Sequence, residues 1–334
     1  MATIDVTVMG AGVFGLSVAY ACASRGAAVQ VIDPNGVAAG ASGGLVGALA
    51  PHVPENWNDK KAFQFESLMM AESFWSEVAA LAQAEVGYVR SGRLQPLADD
   101  RAVALARMRA KTAQGLWQGK AVWQVQPSGD ATWMPPSPTG YVVHDTLSAL
   151  IHPRRATRAL ADAVVAQGGR VVKAGAPQGQ VVWATGWSGM KDIGGNGVKG
   201  QAALLRHDAG GQPQLFADAL HIIPHLDGTV AVGSTSERDF DAPFEVDAAL
   251  DDVLARAFRA FPVLAGAQVI ARWAGVRPRS KSRAPVLGAH PTKPGAFIAN
   301  GGFKIGFGMA PKVGDVMADL ILEGRDTIPD GFRA

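Results

Sequence analysis

At 334 residues the chain exceeds the usual size of one domain, so two structural units on one polypeptide are expected. Hydrophobic residues at 48% and charged residues at 18% exclude a disordered or coiled-coil protein and suit a well-buried soluble one. A net charge of +2 gives no electrostatic argument for a nucleic-acid partner or an anionic membrane.

The chain opens MATIDVTVMGAGVFGLSVAYACASRGAAVQVID. Residues 4–9 (IDVTVM) alternate weakly and end in glycine, which predicts a buried strand. A helix follows over 13–25, with Phe14, Val18 and Ala21 at helical spacing, then a second strand over 28–33. The single cysteine, Cys22, lies in that helix among alanines. It excludes an intramolecular disulfide or a Cys-x-x-Cys pair, and a small buried thiol is its expected role. No basic leader precedes the first strand, and Gly10, Gly12 and Gly15 break the apolar run. That argues against a signal peptide or a membrane span and makes a cytoplasmic location the expectation.

After Asp33 comes PNGVAAGASGGLVGALAPH, a loop dominated by Gly and Ala. Helical pattern resumes over 63–84, where Phe65, Leu68, Met69, Glu72 and Trp75 fall partly in line. The basic run Arg101–Lys111 also holds Ala104, Leu105 and Met108 and reads as a solvated helix face. Four prolines in 127–138 force a loop. A helix is predicted over 153–167, where Ala156, Ala159, Leu160, Ala163 and Val164 share a face, with proline at its first turn and Gly168-Gly169 at its end. Strand-like pieces at 170–173, 180–184, 202–206, 220–225 and 229–233 have an antiparallel flavour, and no internal repeat is visible. A last helix is predicted from Pro311 to Leu322, with Val313, Val316, Met317, Leu320 and Ile321 on one face.

Strand, glycines, helix, strand and acid in this order point to a dinucleotide. Gly10 allows the tight turn, Gly12 the approach of backbone to a pyrophosphate, and Gly15 close packing of helix on strand. The helix N-terminus offers free N–H groups to the phosphates, and Asp33 stands where an acid accepts bonds from the adenosine ribose. A 2′-phosphate would be repelled there. A domain for NAD should continue with further strand–helix units, whereas this chain enters the Gly/Ala loop and later returns with QVVWATGWSG, a strand ending in Ala184-Thr185-Gly186.

Four segments in order, VMGAGVFGLSVAY, ASGGLVGALAPH, VVWATGWS and the pair RWAGVRPRS and NGGFKIGFGMAP, resemble the D-amino-acid oxidase/glycine oxidase family of FAD-dependent oxidoreductases. The likeness spans nearly the whole chain. It implies an α/β fold, a Rossmann-type doubly wound FAD-binding domain (1–80, 141–195 and 275–334) with an inserted antiparallel-sheet substrate domain (81–140 and 196–274). It also implies FAD, a small amine substrate bearing a carboxylate, and oxygen or another electron acceptor; with the single cysteine in the first helix, non-covalent attachment of the FAD is expected.

By the same resemblance Arg277 pairs with the substrate carboxylate, a task that suits a planar guanidinium. Ser42, Gly43 and Gly44 pass near pyrophosphate and flavin. Gly302, Phe303, Lys304 and Gly306 belong to the flavin segment, and Gly306 and Gly308 admit backbone close to the ring. The last helix aims its positive end at the flavin. The implied reaction is hydride transfer from the substrate α-carbon to flavin N5, followed by hydrolysis of the imine in water. The same scaffold would serve a 2-hydroxy-acid dehydrogenase or a flavin-binding protein without catalysis.

The chain departs from the family pattern at several positions. His221 stands where an aromatic hydroxyl is frequent, and Gly302 and Lys304 replace a bulkier residue and an arginine. Ser282 replaces an aspartate, the hairpin near 173–180 is short, and Asp33 replaces a glutamate. His221 and His225 do not suggest a metal, because i and i+4 on a strand lie roughly 13 Å apart. GASGG around Ser42 matches a nucleophile elbow but is not flanked directly by a strand and a helix. Lys281 and Lys304 are the lysines nearest the flavin segments, and Trp273 is the one tryptophan that a motif singles out.

Overall fold

The computed structural model describes residues 3–334; residues 1 and 2, which the first expected domain segment includes, lie outside that description. β1 (Val6–Met9), α1 (Val13–Ser24) and β2 (Val29–Ile32) form where the sequence places them. Cys22 is buried in α1, and burial pushes its thiol up to about 12. After the short strand β3 (Ala48–Leu49), α2 (Asp59–Ala82) begins earlier than its apolar spacing indicates, because the Asn58 side chain accepts from Lys61 N and caps the helix there. Next come β4 (Arg93–Pro96), α3 (Asp100–Leu116), β5 (Trp123–Pro127), β6 (Tyr141–Asp145) and β7 (Ala149–Leu150). The basic run forms the outside of α3, over buried Val103 and Ala106.

α4 (Pro153–Ala166) follows with its proline at the first turn, then β8 (Arg170–Val172), β9 (Gln180–Trp183) and α5 (Gly186–Lys191). A run of strands comes next: β10 (Asn196–Arg206), β11 (Gln214–Ala217), β12 (Leu220–Pro224) and β13 (Thr229–Gly233). The chain closes with α6 (Ala248–Ala260), β14 (Val269–Arg279), β15 (Val286–Ala289), β16 (Phe297–Asn300) and α7 (Gly306–Glu323).

Two main sheets divide these strands. The six-stranded sheet runs β15-β16-β9-β1-β2-β8 and is parallel except at β15. Helices α1, α2, α4 and α7 pack together beside it in one continuous core. The eight-stranded sheet runs β14-β10-β13-β12-β11-β4-β6-β5, antiparallel except between β11 and β4. One face of its β10–β13 region is covered by α6, where Leu250, Val253, Leu254 and Ala257 meet Ala203, Leu205, Ile222 and Val232. The other face is turned to the cavity described below. This is the α/β, Rossmann-type architecture with an inserted antiparallel sheet.

Three expectations change. The pieces at 170–173 and 180–184 are parallel strands of the six-stranded sheet rather than antiparallel ones, since each joins a strand of the opening βαβ unit. The last helix begins at Gly306, not Pro311, and Pro311 sits in its second turn, where it has no N–H to give the Phe307 carbonyl. The strand expected at 202–206 starts at Asn196, because the buried Lys199 that breaks its apolar pattern is neutralised by Asp247 at 2.8 Å and Glu237 at 3.5 Å. Strand β6, inside the expected segment 141–195, pairs in the larger sheet between β4 and β5, and the expected boundary at 275 falls within β14.

Candidate active site

A cavity of about 1050 Å³ runs from the C-terminal ends of β1 and β2 to the free face of the larger sheet. Its first end is built on the glycines. Gly10 has φ +116°, and a Cβ there would lie 2.3 Å from Ala184 O, so the β1 turn presses directly on the end of β9. A Cβ at Gly15 would lie 2.1 Å from Gly10 O; this glycine packs helix on strand and does not line the cavity. Gly12 does line it and, having no side chain, leaves the start of α1 without a side-chain cap of its own. The N–H groups and the positive end of α1 therefore point into the cavity, with Ser42 Oγ accepting from Val13 N at 2.9 Å.

Asp33 Oδ2 accepts from Ala11 N at 2.8 Å and Oδ1 from Asn35 N at 3.0 Å, which ties the glycine turn to the end of β2. Each carboxylate oxygen keeps a second lone pair for a hydroxyl donor. Ser42, Gly44, Ala184, Thr185 and Gly186 also line this end. Gly43 does not: its carbonyl accepts from Arg154 Nε at 2.6 Å, and a Cβ there would meet Ala38 O. Ser42 lies in a single 3₁₀ turn (Ala41–Gly43), not at the junction of a strand with a helix that a nucleophile elbow requires. A backbone cradle without Cβ atoms, an open helix end and an acid at the end of β2 together fit a dinucleotide.

Gly302, Phe303, Lys304 and Gly306 line the middle of the cavity on the turn that leads into α7, whose N-terminus also has no side-chain cap. Gly308 does not reach it and faces Leu68 of α2 instead. Lys281 is exposed on the surface and does not line the cavity.

The far end is floored by Phe216 on β11, His221 on β12, Ala202 on β10 and Trp273 on β14, which lie in one register row that crosses β13 at Gly233. The Phe216 and His221 rings lie 4.8 Å apart. Burial, with Arg93 and Lys304 nearby, drives the His221 imidazole down to about 3, so it is neutral near pH 7. Its Nδ1 is buried without a hydrogen-bond partner. His225, four residues on, bonds Leu45 O at 3.0 Å through Nε2, and no cluster of three metal-ligating side chains occurs among the described residues.

Arg277 stands beside this row, 8% exposed. Its Nη2 donates to Ser234 Oγ and to Thr235 O, both at 2.8 Å, while Nη1 is buried and has no partner. Burial lowers its pKa to about 10, against the favourable charge of Glu237, and the group remains a cation. The guanidinium lies over Gly200, where a Cβ would be 1.6 Å from Nη2, and the Trp273 ring lies over Gly275 in the same way at 2.4 Å. Lys304 Nζ donates to Ser236 Oγ at 2.8 Å, and its pKa is lowered by burial and then by Arg277.

Sequence reading thus brought together Arg277, His221, Lys304 and the glycine cradle in one cavity and missed Ser234, Thr235, Phe216 and Gly200. The signal for Gly200 was its place opposite Gly275 on two neighbouring strands, which needs the register to be seen.

A family model described as FAD dependent oxidoreductase matches residues 5–320. A glycine oxidase of Pseudomonas aeruginosa is 34% identical over 134 residues, which cover 40% of this chain and 36% of that protein. A bifunctional protein ThiO/ThiG of Nostoc sp. is 26% identical over 97% of this chain and 53% of its own length. The chain thus spans about half or less of these curated relatives. Among solved structures, glycine oxidase from Geobacillus kaustophilus superposes with a TM-score of 0.87 at 20% identity, covering 100% of this chain and 98% of that one, which bears on the fold alone.

Proposed function

From the premise that the chain belongs to the family of FAD-dependent oxidoreductases, we propose that it oxidises the C–N bond of a small amino acid whose carboxylate pairs with Arg277. The observation that carries this reading is a buried guanidinium in the cavity wall, Arg277, whose Nη1 has no hydrogen-bond partner. A guanidinium removed from water whose Nη1 hydrogens are unshared calls for an anion, and a carboxylate oxygen answers it in a charge-assisted hydrogen bond. FAD, when bound, supplies the hydride acceptor at the α-carbon, and oxygen or another acceptor takes the electrons onward.

The rest of the site serves binding and orientation. Held by Ser234 and Thr235, the guanidinium has a fixed direction, and the carboxylate it grips fixes the α-carbon. Phe216, Trp273 and Ala202 give the floor an apolar surface that excludes water. The positive charges of Arg277 and Lys304 disfavour an ammonium beside them, so the substrate amine is held in the neutral form that gives up hydride. Oxidation of a 2-hydroxy acid would need a base for the hydroxyl proton, and His221 is a poor one with its pKa near 3.

The test is the visible spectrum of the holoenzyme, recorded anaerobically before and after adding D- and L-amino acids, glycine and sarcosine. Bleaching of the flavin band is expected. A band that persists with amines but bleaches with 2-hydroxy acids would replace this reading with the dehydrogenase one.

A further inference from the structure

Charge is distributed unevenly along the cavity. Among the described residues Asp33 is the only acid that lines it, and its carboxylate belongs to the glycine turn. The lining cations are Arg277, beside the row on the larger sheet, and Lys304, on the turn at the middle of the cavity, whose Nζ reaches Ser236. Their hydrogen-bond acceptors, Ser234 Oγ, Thr235 O and Ser236 Oγ, are all neutral. Glu237 is near enough to favour the charged form of Arg277, but its carboxylate is already engaged by Thr235, Gln201 and the buried Lys199. Arg277 therefore disfavours the charge on Lys304, and among the described residues no acidic side chain lines the cavity beside them.

One substrate carboxylate answers Arg277 on the reading proposed above, and Lys304 is left over. Resting on that reading, we infer that the substrate is an amino acid carrying a second carboxylate, and that Lys304 is the residue that selects it. The ammonium is a point charge on a flexible stem, suited to meeting a second anion at a position set by the first contact rather than to fixing a plane. Of its neighbours, the Phe303 ring, whose centroid lies 5.8 Å from Nζ, and the neutral His221, neither carries a negative charge. The fit is to a dicarboxylic amino acid rather than to one with an apolar or cationic side chain, since a second cation would be repelled by both groups.

The experiment titrates the holoenzyme with carboxylates that have no amine and cannot be oxidised: butyrate against malonate, succinate and glutarate. The shift of the flavin absorption reads the dissociation constant. At least one dicarboxylate is expected to bind about tenfold tighter than butyrate, as one charge-assisted hydrogen bond supplies. Lys304→Met is expected to bring that ratio near one, and Lys304→Arg to restore it. Dicarboxylates that bind no tighter than butyrate would overturn the inference, as would a preference that survives Lys304→Met. Should Lys304→Met not hold flavin, the wild-type comparison decides alone. Failure of the underlying reading looks different: butyrate would not bind either, and no amino acid would bleach the flavin.

Discussion

Arg277 is costly to keep charged and has one nitrogen, Nη1, without a partner, a combination that ordinary folding does not favour and a ligand offsets. Truncating one partner of a buried hydrogen-bonded charge pair costs about 2–5 kcal/mol. Arg277→Ala is therefore expected to lower kcat/KM for the amino acid by roughly 30-fold or more, through KM, with the flavin content of the purified protein unchanged. An unaltered KM would remove Arg277 from the carboxylate site. His221 gives a different kind of prediction. With its pKa near 3 it stays neutral across pH 5–8, so His221→Gln should change the height of the pH–kcat/KM profile and not its shape in that range. Loss of an inflection near pH 6.5 in the variant would show that the imidazole titrates in the working enzyme.

Two elements carry the site, and each gives a test. The start of α1 depends on Gly12, where a Cβ would come within 3.2 Å of Ser42 Oγ and a branched side chain would fill the cradle. Gly12→Val is expected to purify colourless, and a yellow, fully loaded variant would contradict the cradle. The pair β10–β14 depends on Gly200, over which Arg277 lies. The guanidinium can swing away from an added methyl group, so Gly200→Ala should retain flavin while KM rises about tenfold, the loss of one well-aimed hydrogen bond. These elements were unequally legible in the sequence. The opening βαβ unit announces itself through local spacing, because its glycines, strand alternation and acid all act within one short stretch. β10 does not, because Gly197, Lys199 and Gly200 interrupt its apolar pattern and only the distant Asp247 and Glu237 make a buried lysine tolerable. The floor of the cavity is drawn from a row across five strands whose register no local signal encodes.

At the scale of the molecule, several buried histidines are held neutral. Burial lowers His221 to about 3 and His152 to about 4, and lowers His225 as well. The unfolded chain binds protons at these sites from about pH 6.5 downward while the fold does not, so stability is present above that pH and is lost as pH falls toward 4. The melting temperature is expected to be level from pH 8 to 7 and to decline between 6.5 and 4. Asp227 and Asp247 have lowered values, Asp247 to about 2, so their contribution is lost only below about pH 4. A double variant His152→Gln/His225→Gln should flatten the upper part of this decline, and an unchanged slope would place the titrating groups elsewhere. Among the described residues no helix is long and apolar enough to cross a membrane.

The floor row has one more consequence, for how such a site can change over generations. Residues that alternate along β10 and β12 face opposite ways: Ala202 and His221 line the cavity, while Ala203 and Ile222 are buried under α6. Mutation at one parity alters what is recognised, and mutation at the other alters how firmly the sheet holds together. Selection can therefore act on the two properties along the same strands almost independently, and drift in substrate preference need not pass through an unfolded ancestor.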